Sequence, residues 1–391
     1  MQDSILKKIA NSCETPSYVF DLDALNQRIA SLKDRLGGKA IICYAMKANP
    51  FLVAPLQETV EKFEVCSPGE FRICERSGLD ISKVVLSGVY KNKADIQRVV
   101  HTYRDRLTYT VESIGQYRLL AACAREENTQ LHLLVRLSSG NQFGVDKDTL
   151  EDILHDAAND PHVKIKGLQL YSGTQKRKVD QIAEELRMLD DYCAELETRF
   201  DMKFDELEFG PGLYVSYFNN EEEQDDIILD GFAEALQQVS FRGKIILEMG
   251  RFIASSCGLY LTSVVDCKET DGKKYCIVDG GINHVNYYGQ TMAMRTPVIE
   301  QFPKRTGTPE KWNICGALCT VGDLLVKQLP LTEVQLGDML VFKKIGAYSI
   351  TEGIYLFLSR DLPCVYFYSD QDGLRKIRSA QPTDVINSAE E

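Results

Sequence analysis

AIICYAMKANP, residues 40–50, opens on β-branched and apolar residues and closes on a lysine, an asparagine and a proline. A short run ended by turn formers reads as a buried strand, with Lys47 at its C-terminal end. Seven further runs follow: FEVC (63–66), VVLS (84–87), LTYTV (107–111), LHLLVRL (131–137), VKIKGLQL (163–170), DELEF (205–209) and KIILEM (244–249). Between them lie amphipathic stretches of helical period, among them GEFRICERSG (69–78), ADIQRVVHTYR (94–104), SIGQYRLLAACAREE (113–127) and VDQIAEELRMLDDYCAELETRF (179–200). Eight strand–helix alternations predict an α/β protein with a parallel (β/α)8 barrel over residues 23–252.

Past residue 252 the period changes from 3.6 to 2. LYLTSVVDC (259–267), KYCIVDGG (274–281), MLVFKKIG (339–346) and CVYFYSD (364–370) alternate between turns, and long helical patterns stop. This predicts a mainly antiparallel β domain made of residues 1–22 and 253–391. An early run, SYVFDL (17–22), precedes the barrel and is placed to pair with it.

The 391 residues are 44% hydrophobic and 26% charged, with a formal net charge of −12. That is enough apolar material for two sizeable cores. An acidic chain is repelled by nucleic-acid phosphates and anionic lipid, so neither is an expected partner. No run approaches the length of a membrane span, and MQDSILKKIANS lacks a signal-peptide core, so a cytoplasmic location is expected. The twelve cysteines are scattered, with no C-x-x-C and no histidine cluster beside them, so no metal site is expected.

In a barrel of this kind chemistry sits at the C-terminal strand ends. There lie Lys47, Arg136, Tyr171-Ser172-Gly173-Thr174, Gly210-Pro211-Gly212 and Glu248-Met249-Gly250-Arg251. A lysine flanked by small and apolar residues is a candidate for a depressed amine pKa, which an imine with an aldehyde cofactor requires. Gly210, Gly212 and Gly250 let backbone N–H groups approach an anion, and Arg251 adds charge-assisted bonds, so together they read as a phosphate cradle. A carboxylate such as Glu248 beside a pyridine nitrogen would keep that nitrogen protonated.

These residues resemble the fold type III pyridoxal-phosphate decarboxylases, which share the alanine racemase fold and include the diaminopimelate and ornithine decarboxylases. The likeness spans nearly the whole chain: TPSYVFD (15–21), YAMKANP (44–50), FEVCSPGE (63–70), GLQLYSGTQ (167–175), EMGR (248–251), VDGG (278–281), CGALCTVGD (315–323) and GAY (346–348). The resemblance implies pyridoxal 5'-phosphate as cofactor, with Lys47 as its covalent anchor, Glu64 as an acidic neighbour of that lysine and Glu248 at the ring nitrogen. It further implies Gly210, Gly212, Gly250, Arg251 and Tyr348 as phosphate contacts, Thr174 as a hydroxyl near the phosphate and Arg136 near the ring. Cys319 matches a cysteine that a partner subunit inserts into the site, which implies a head-to-tail homodimer with shared sites. Protonation after loss of CO2 falls most naturally to that thiol.

Departures from the family pattern bear on substrate. Tyr171 stands where a ring-stacking histidine is usual, and Pro211 replaces the middle glycine of the phosphate loop and removes an N–H donor. Thr320 follows the cysteine where diaminopimelate and ornithine decarboxylases carry Glu or Asp. A neutral hydroxyl cannot pair with a distal ammonium as a carboxylate does; Asp323 and Asp279 are the carboxylates that could compensate. Tyr171, Thr174, the Cys-Thr pair and VDGG together are most similar to the butirosin-type branch that decarboxylates glutamate tethered to an acyl carrier protein. Lys176, Arg177 and Lys178 could form a basic docking patch for an acidic carrier, but a solvated helix start is the preferred reading. Diaminopimelate, ornithine or lysine decarboxylation is the alternative. An amino-acid racemase is a further one, disfavoured because racemases of the alanine type place an arginine where Glu248 stands. A non-catalytic homologue is disfavoured because Lys47 and Cys319 are both present.

Overall fold

The computed structural model describes residues 3–389. The chain divides into two compact units. One holds residues 29–215 and 224–253; the other holds residues up to 28, 216–223 and from 254 onward.

The first strand, β1 (Ser17–Asp21), is fully buried and pairs antiparallel with the strand beginning at Gly258 and parallel with the strand beginning at Cys364. The run SYVFDL therefore belongs to the sheet of the β unit and not to the barrel, which closes on its own eight strands. With every edge of the barrel satisfied, no donor or acceptor row is left there for a ninth strand.

The barrel runs β2 (Ala40–Ala45), β3 (Lys62–Val65), β4 (Val84–Leu86), β5 (Thr108–Val111), β6 (Leu131–Leu137), β7 (Val163–Tyr171), β8 (Glu206–Gly210) and β9 (Lys244–Met249). All neighbours are parallel, and β9 returns to β2 with Cys43 opposite Glu248. Local chemistry sets the connections. Ser67 caps the helix Pro68–Ser77 by accepting from Glu70 N at 3.1 Å, Glu70 reaches back to Cys66 N at 2.6 Å, and Gly78 ends the helix at φ 71°. Ser113 and Gln116 repeat this box ahead of the helix Ile114–Glu126, at 3.1 and 3.0 Å. An apolar layer of Cys43, Val85, Leu134 and Ile246 fills part of the barrel. Glu64, Gln169, Glu208 and Glu248 are also buried on its strands.

The β unit adds β10 (Gly258–Thr270), β11 (Lys273–Val278), β12 (Ile299–Phe302), β13 (Glu310–Cys315), β14 (Leu324–Leu331), β15 (Met339–Lys343), β16 (Cys364–Ser369) and β17 (Gly373–Arg378). Most pairs are antiparallel; β1–β16 and β11–β13 are parallel. β10 serves two groups of strands: its first half pairs with β1 and β15, and past an irregularity between Val264 and Asp266 its second half pairs with β11. Leu6, Ile9, Val19, Leu261, Val341 and Tyr366 form part of its core, each worth about 1.5–3 kcal/mol of transfer free energy when fully buried.

Against the expected 23–252 span, the barrel unit starts at Ile29 and is interrupted by residues 216–223. That segment bonds Asn219 N to Thr296 O at 3.0 Å, and the Tyr217 ring meets the Tyr287 ring edge-on at 5.8 Å. Among the described residues no helix is long and apolar enough to cross a membrane.

Candidate active site

Lys47 sits in the 3-10 turn Met46–Ala48 that follows β2. The sequence around it builds that turn: Tyr44 donates to Asn49 O at 3.0 Å, Asn49 Oδ1 accepts from Phe51 N at 3.1 Å, and Pro50 opens the next turn. Lys47 Nζ lies 2.5 Å from Glu64 Oε2 on β3 and 3.1 Å from Glu248 Oε1 on β9. The two carboxyl side chains are 1% and 6% exposed. Burial pushes the Glu64 carboxyl up, but the adjacent Lys47 ammonium overrides this and holds it well below the usual range. Burial raises Glu248, and the charge of Glu64 raises it further, so of the two Glu248 is the one that holds a proton more readily.

On the neighbouring strand ends, Tyr171 closes β7 and packs on Gly210 at the end of β8. A Cβ on Gly210 would fall 2.5 Å from Tyr171 Cδ2. Gly212 has φ +60°, and a Cβ there would lie 2.0 Å from Gly173 O, so only glycine allows the two loops to meet. Gly212 O also accepts from Lys176 N at 2.9 Å. Gly250 follows β9, and Arg251 Nε reaches Thr174 Oγ1 at 3.3 Å. Lys47, Glu64, Tyr171, Thr174, Gly210, Gly212, Glu248, Gly250 and Arg251 thus lie at one end of one barrel. Arg136 on β6 is 9% exposed, pairs with Glu112 at 3.2 Å and stands 4.8 Å over the Phe143 ring. Among the described residues, Arg136 Nε and Glu112 Oε1 are buried with no hydrogen-bond partner.

The remaining expected residues lie in the β unit. Cys319 and Thr320 are exposed on the loop between β13 and β14. Asp323 is buried and spends its oxygens on Ile282 N at 2.8 Å and Leu318 N at 2.7 Å. Asp279 accepts from the hydroxyls of Thr15 and Thr262, both at 2.6 Å, and from Ser263 N at 3.0 Å. Both aspartates, expected as compensating substrate carboxylates, fasten loops of their own unit through these bonds. Tyr348 is half-buried with φ 68°. The expected solvated helix start fails at Lys176, which is 7% exposed and paired with Glu185 while its ammonium donates to Ser172 Oγ at 2.5 Å. Arg177, 4.0 Å over the Tyr214 ring, and Lys178 are exposed, so the expected solvated start holds for these two.

Two groups escaped the sequence reading. Glu208 on β8 is fully buried, accepts from Gln169 Nε2 at 2.5 Å, and is raised well above the usual carboxylate range by burial and by Glu248 and Glu64. Glu112 follows β5 as the partner of Arg136. The available signal was a charged residue at the buried period of a strand, as in DELEF (205–209).

This donor set fits pyridoxal 5'-phosphate. It offers an amine for the aldehyde between two buried carboxyls, a carboxyl able to share a proton with a ring nitrogen, and a glycine-lined turn with Arg251 and Thr174 for a phosphate. Residues 22–255, more than half of the chain, match the family of the pyridoxal-dependent decarboxylase, pyridoxal binding domain. The chain is 25% identical over 378 residues to the L-glutamyl-[BtrI acyl-carrier protein] decarboxylase of Niallia circulans, covering 90% of this chain and 88% of that one. It is 27% identical over 366 residues to the diaminopimelate decarboxylase of Campylobacter jejuni, covering 88% and 89%. Its fold is similar to that of the M. jannaschii diaminopimelate decarboxylase in co-complex with L-lysine, with TM-score 0.86, 22% identity and coverage of 99% and 94%. The geometry at Lys47 and these likenesses agree: the chain belongs to the pyridoxal-dependent decarboxylases, carboxy-lyases of fold type III that use pyridoxal 5'-phosphate.

Proposed function

We propose that this enzyme removes CO2 from an amino acid or amino-acid derivative whose distal end carries no ammonium, and that glutamate tethered to a carrier protein is the leading substrate. The observation that carries the decarboxylase reading is the Lys47 ammonium held between Glu64 and Glu248. When bound, the cofactor supplies an electron sink conjugated to the substrate Cα. Lys47 holds the cofactor through its amine, and Glu64 keeps that amine in place. Glu248 holds a proton at the ring nitrogen, which makes the sink strong. Gly210, Gly212, Gly250, Arg251 and Thr174 would hold the phosphate, with Tyr171 and Arg136 toward the ring. Cys319, exposed in the single chain, donates a proton to the substrate carbon in the partner's site of a homodimer.

Thr320 supports the substrate reading. It puts a neutral hydroxyl where a carboxylate would meet a distal ammonium, while Asp323 and Asp279 already fasten loops of their own unit. The experiment is CO2 release from a panel of carrier-tethered glutamate, free glutamate, diaminopimelate, lysine and ornithine. Release from tethered glutamate above all others is expected. Preferential release from a diamine-type substrate would overturn the substrate reading and leave the decarboxylase intact.

A further inference from the structure

Strands β10 and β11 form a tight hairpin within the β unit. Its loop is the pair Asp271-Gly272, with φ of 52° and 69°. Two positive φ values in a two-residue loop mark a type I′ turn, for which Asp-Gly is a preferred sequence. Such a turn closes on a hydrogen-bonded pair, here Thr270 and Lys273. Pair types then alternate along an antiparallel ladder. Glu269 and Lys274 form a non-hydrogen-bonded pair, Lys268 and Tyr275 a hydrogen-bonded one, and Cys267 and Cys276 a non-hydrogen-bonded one again.

In a non-hydrogen-bonded pair the Cα atoms stand about 4.5 Å apart, with both side chains on one face. A disulfide spans Cα separations of about 4.4–6.8 Å, so Cys267 and Cys276 lie within bridging range without movement of either strand. Among the described strand pairings no other sets cysteine opposite cysteine: Cys43 faces Lys62 and Glu248, Cys315 faces Ile277 and Leu324, and Cys364 faces Ser17. Both members of the pair are free thiols, Cys276 buried and Cys267 half-buried. They hydrogen-bond to each other, Cys276 donating to Cys267. Burial pushes both thiols above the ordinary range; the bond raises Cys276 further and offsets part of the rise at Cys267. Cys267 is therefore both the more accessible sulfur and the one better able to become a thiolate.

We propose that Cys267 and Cys276 are a redox-active dithiol whose oxidant is a low-molecular-weight disulfide. The Cys267 thiolate attacks one sulfur of the small disulfide, so that a mixed disulfide forms and one small thiol leaves with the Cys267 proton. Cys276 then gives up its proton and attacks Cys267 Sγ. The cross-strand S–S bond forms, and the second small thiol leaves with that proton. The protein loses two electrons and the small disulfide gains them. A bridge at the short end of the Cα range is strained and more easily reduced than a relaxed one, so excess small thiol reverses the step. Raised thiol pKa values slow the exchange to hours without changing which sulfurs pair. The site rests on no part of the decarboxylase reading.

The full chain is incubated with glutathione disulfide, its remaining thiols are alkylated, and its tryptic peptides are mapped by mass spectrometry. Cleavage after Lys268 and Lys274 makes the bridge a link between peptides 252–268 and 275–295. The first peptide also contains Cys257, so fragmentation places the link on one of its two sulfurs. A link between Cys267 and Cys276 is expected, and it is lost when excess glutathione is added. Cys276→Ser should lose the link and keep one glutathione on Cys267, whereas Cys257→Ser should form the link as the wild type does. No link even where the exposed Cys319 carries glutathione, a link from Cys276 to a different cysteine, or a link seen only in the denatured chain would each overturn the proposal. Should Cys276→Ser fail to fold, the wild-type map decides alone.

Discussion

Replacing Glu248 by glutamine removes the carboxylate proposed to meet the ring nitrogen and leaves the proposed phosphate cradle untouched. Turnover should fall about 100-fold or more while cofactor absorbance is retained; near-normal turnover would contradict the role. Glu64 and Glu208 give opposite pH signatures of stability. The depressed pKa of Glu64 contributes stability that is present above the unfolded value of about 4.3 and lost as pH falls toward the folded value. The raised pKa of Glu208 means that the folded state keeps a proton the unfolded chain loses, so Glu208 costs stability increasingly as pH rises above about 4.3. Glu208→Gln should therefore raise Tm at pH 8, by about 2–4 °C per kcal/mol relieved, and give little below pH ~4. Thermal unfolding at both pH values checks this, and a lower Tm at pH 8 would mean that the ionised form is the native one. Lys47, Glu248 and the glycines were legible because strand ends select them. Glu208 was not, because its neighbours Gln169, Glu64 and Glu248 come from three other strands.

At the scale of elements, the tightest constraint is the meeting of the β7 and β8 loops. Gly212→Ala would drive a Cβ into the Gly173 carbonyl at a positive φ, so the loops must part. We expect a stability loss of about 1–3 kcal/mol and faster cofactor release, read by thermal unfolding and by absorbance on dilution. Unchanged release would remove this loop from the phosphate cradle. All eight barrel strands were legible, because β-branched runs alternate with amphipathic helices. In the β unit, β12, β13, β14 and β17 were not: EKWNIC and GLRKIR carry charges along half-exposed strands and show no clean period of two. The partner of β1 was hidden for another reason, since Val19 meets Leu259 and Tyr366 across long sequence separations that no local pattern encodes.

On the scale of the whole molecule, the proposed homodimer makes each site depend on two chains. Lys47→Ala and Cys319→Ala, each inactive alone, should complement when mixed. With free exchange about half of the dimers are mixed, and about one quarter of all sites carry neither lesion. Recovery near that fraction is expected, and no recovery despite demonstrated exchange would refute the shared site. The two-part architecture was legible from the change of period near residue 252. The return of residues 216–223 to the β unit was not, because it depends on Tyr217 and Phe218 meeting Tyr287. Everything proposed about the chemistry depends on where the cofactor is anchored. Borohydride reduction of the holoenzyme followed by peptide mapping decides this: the reduced cofactor is expected on Lys47, within YAMKANP (44–50), and a label on any other lysine would refute the assignment.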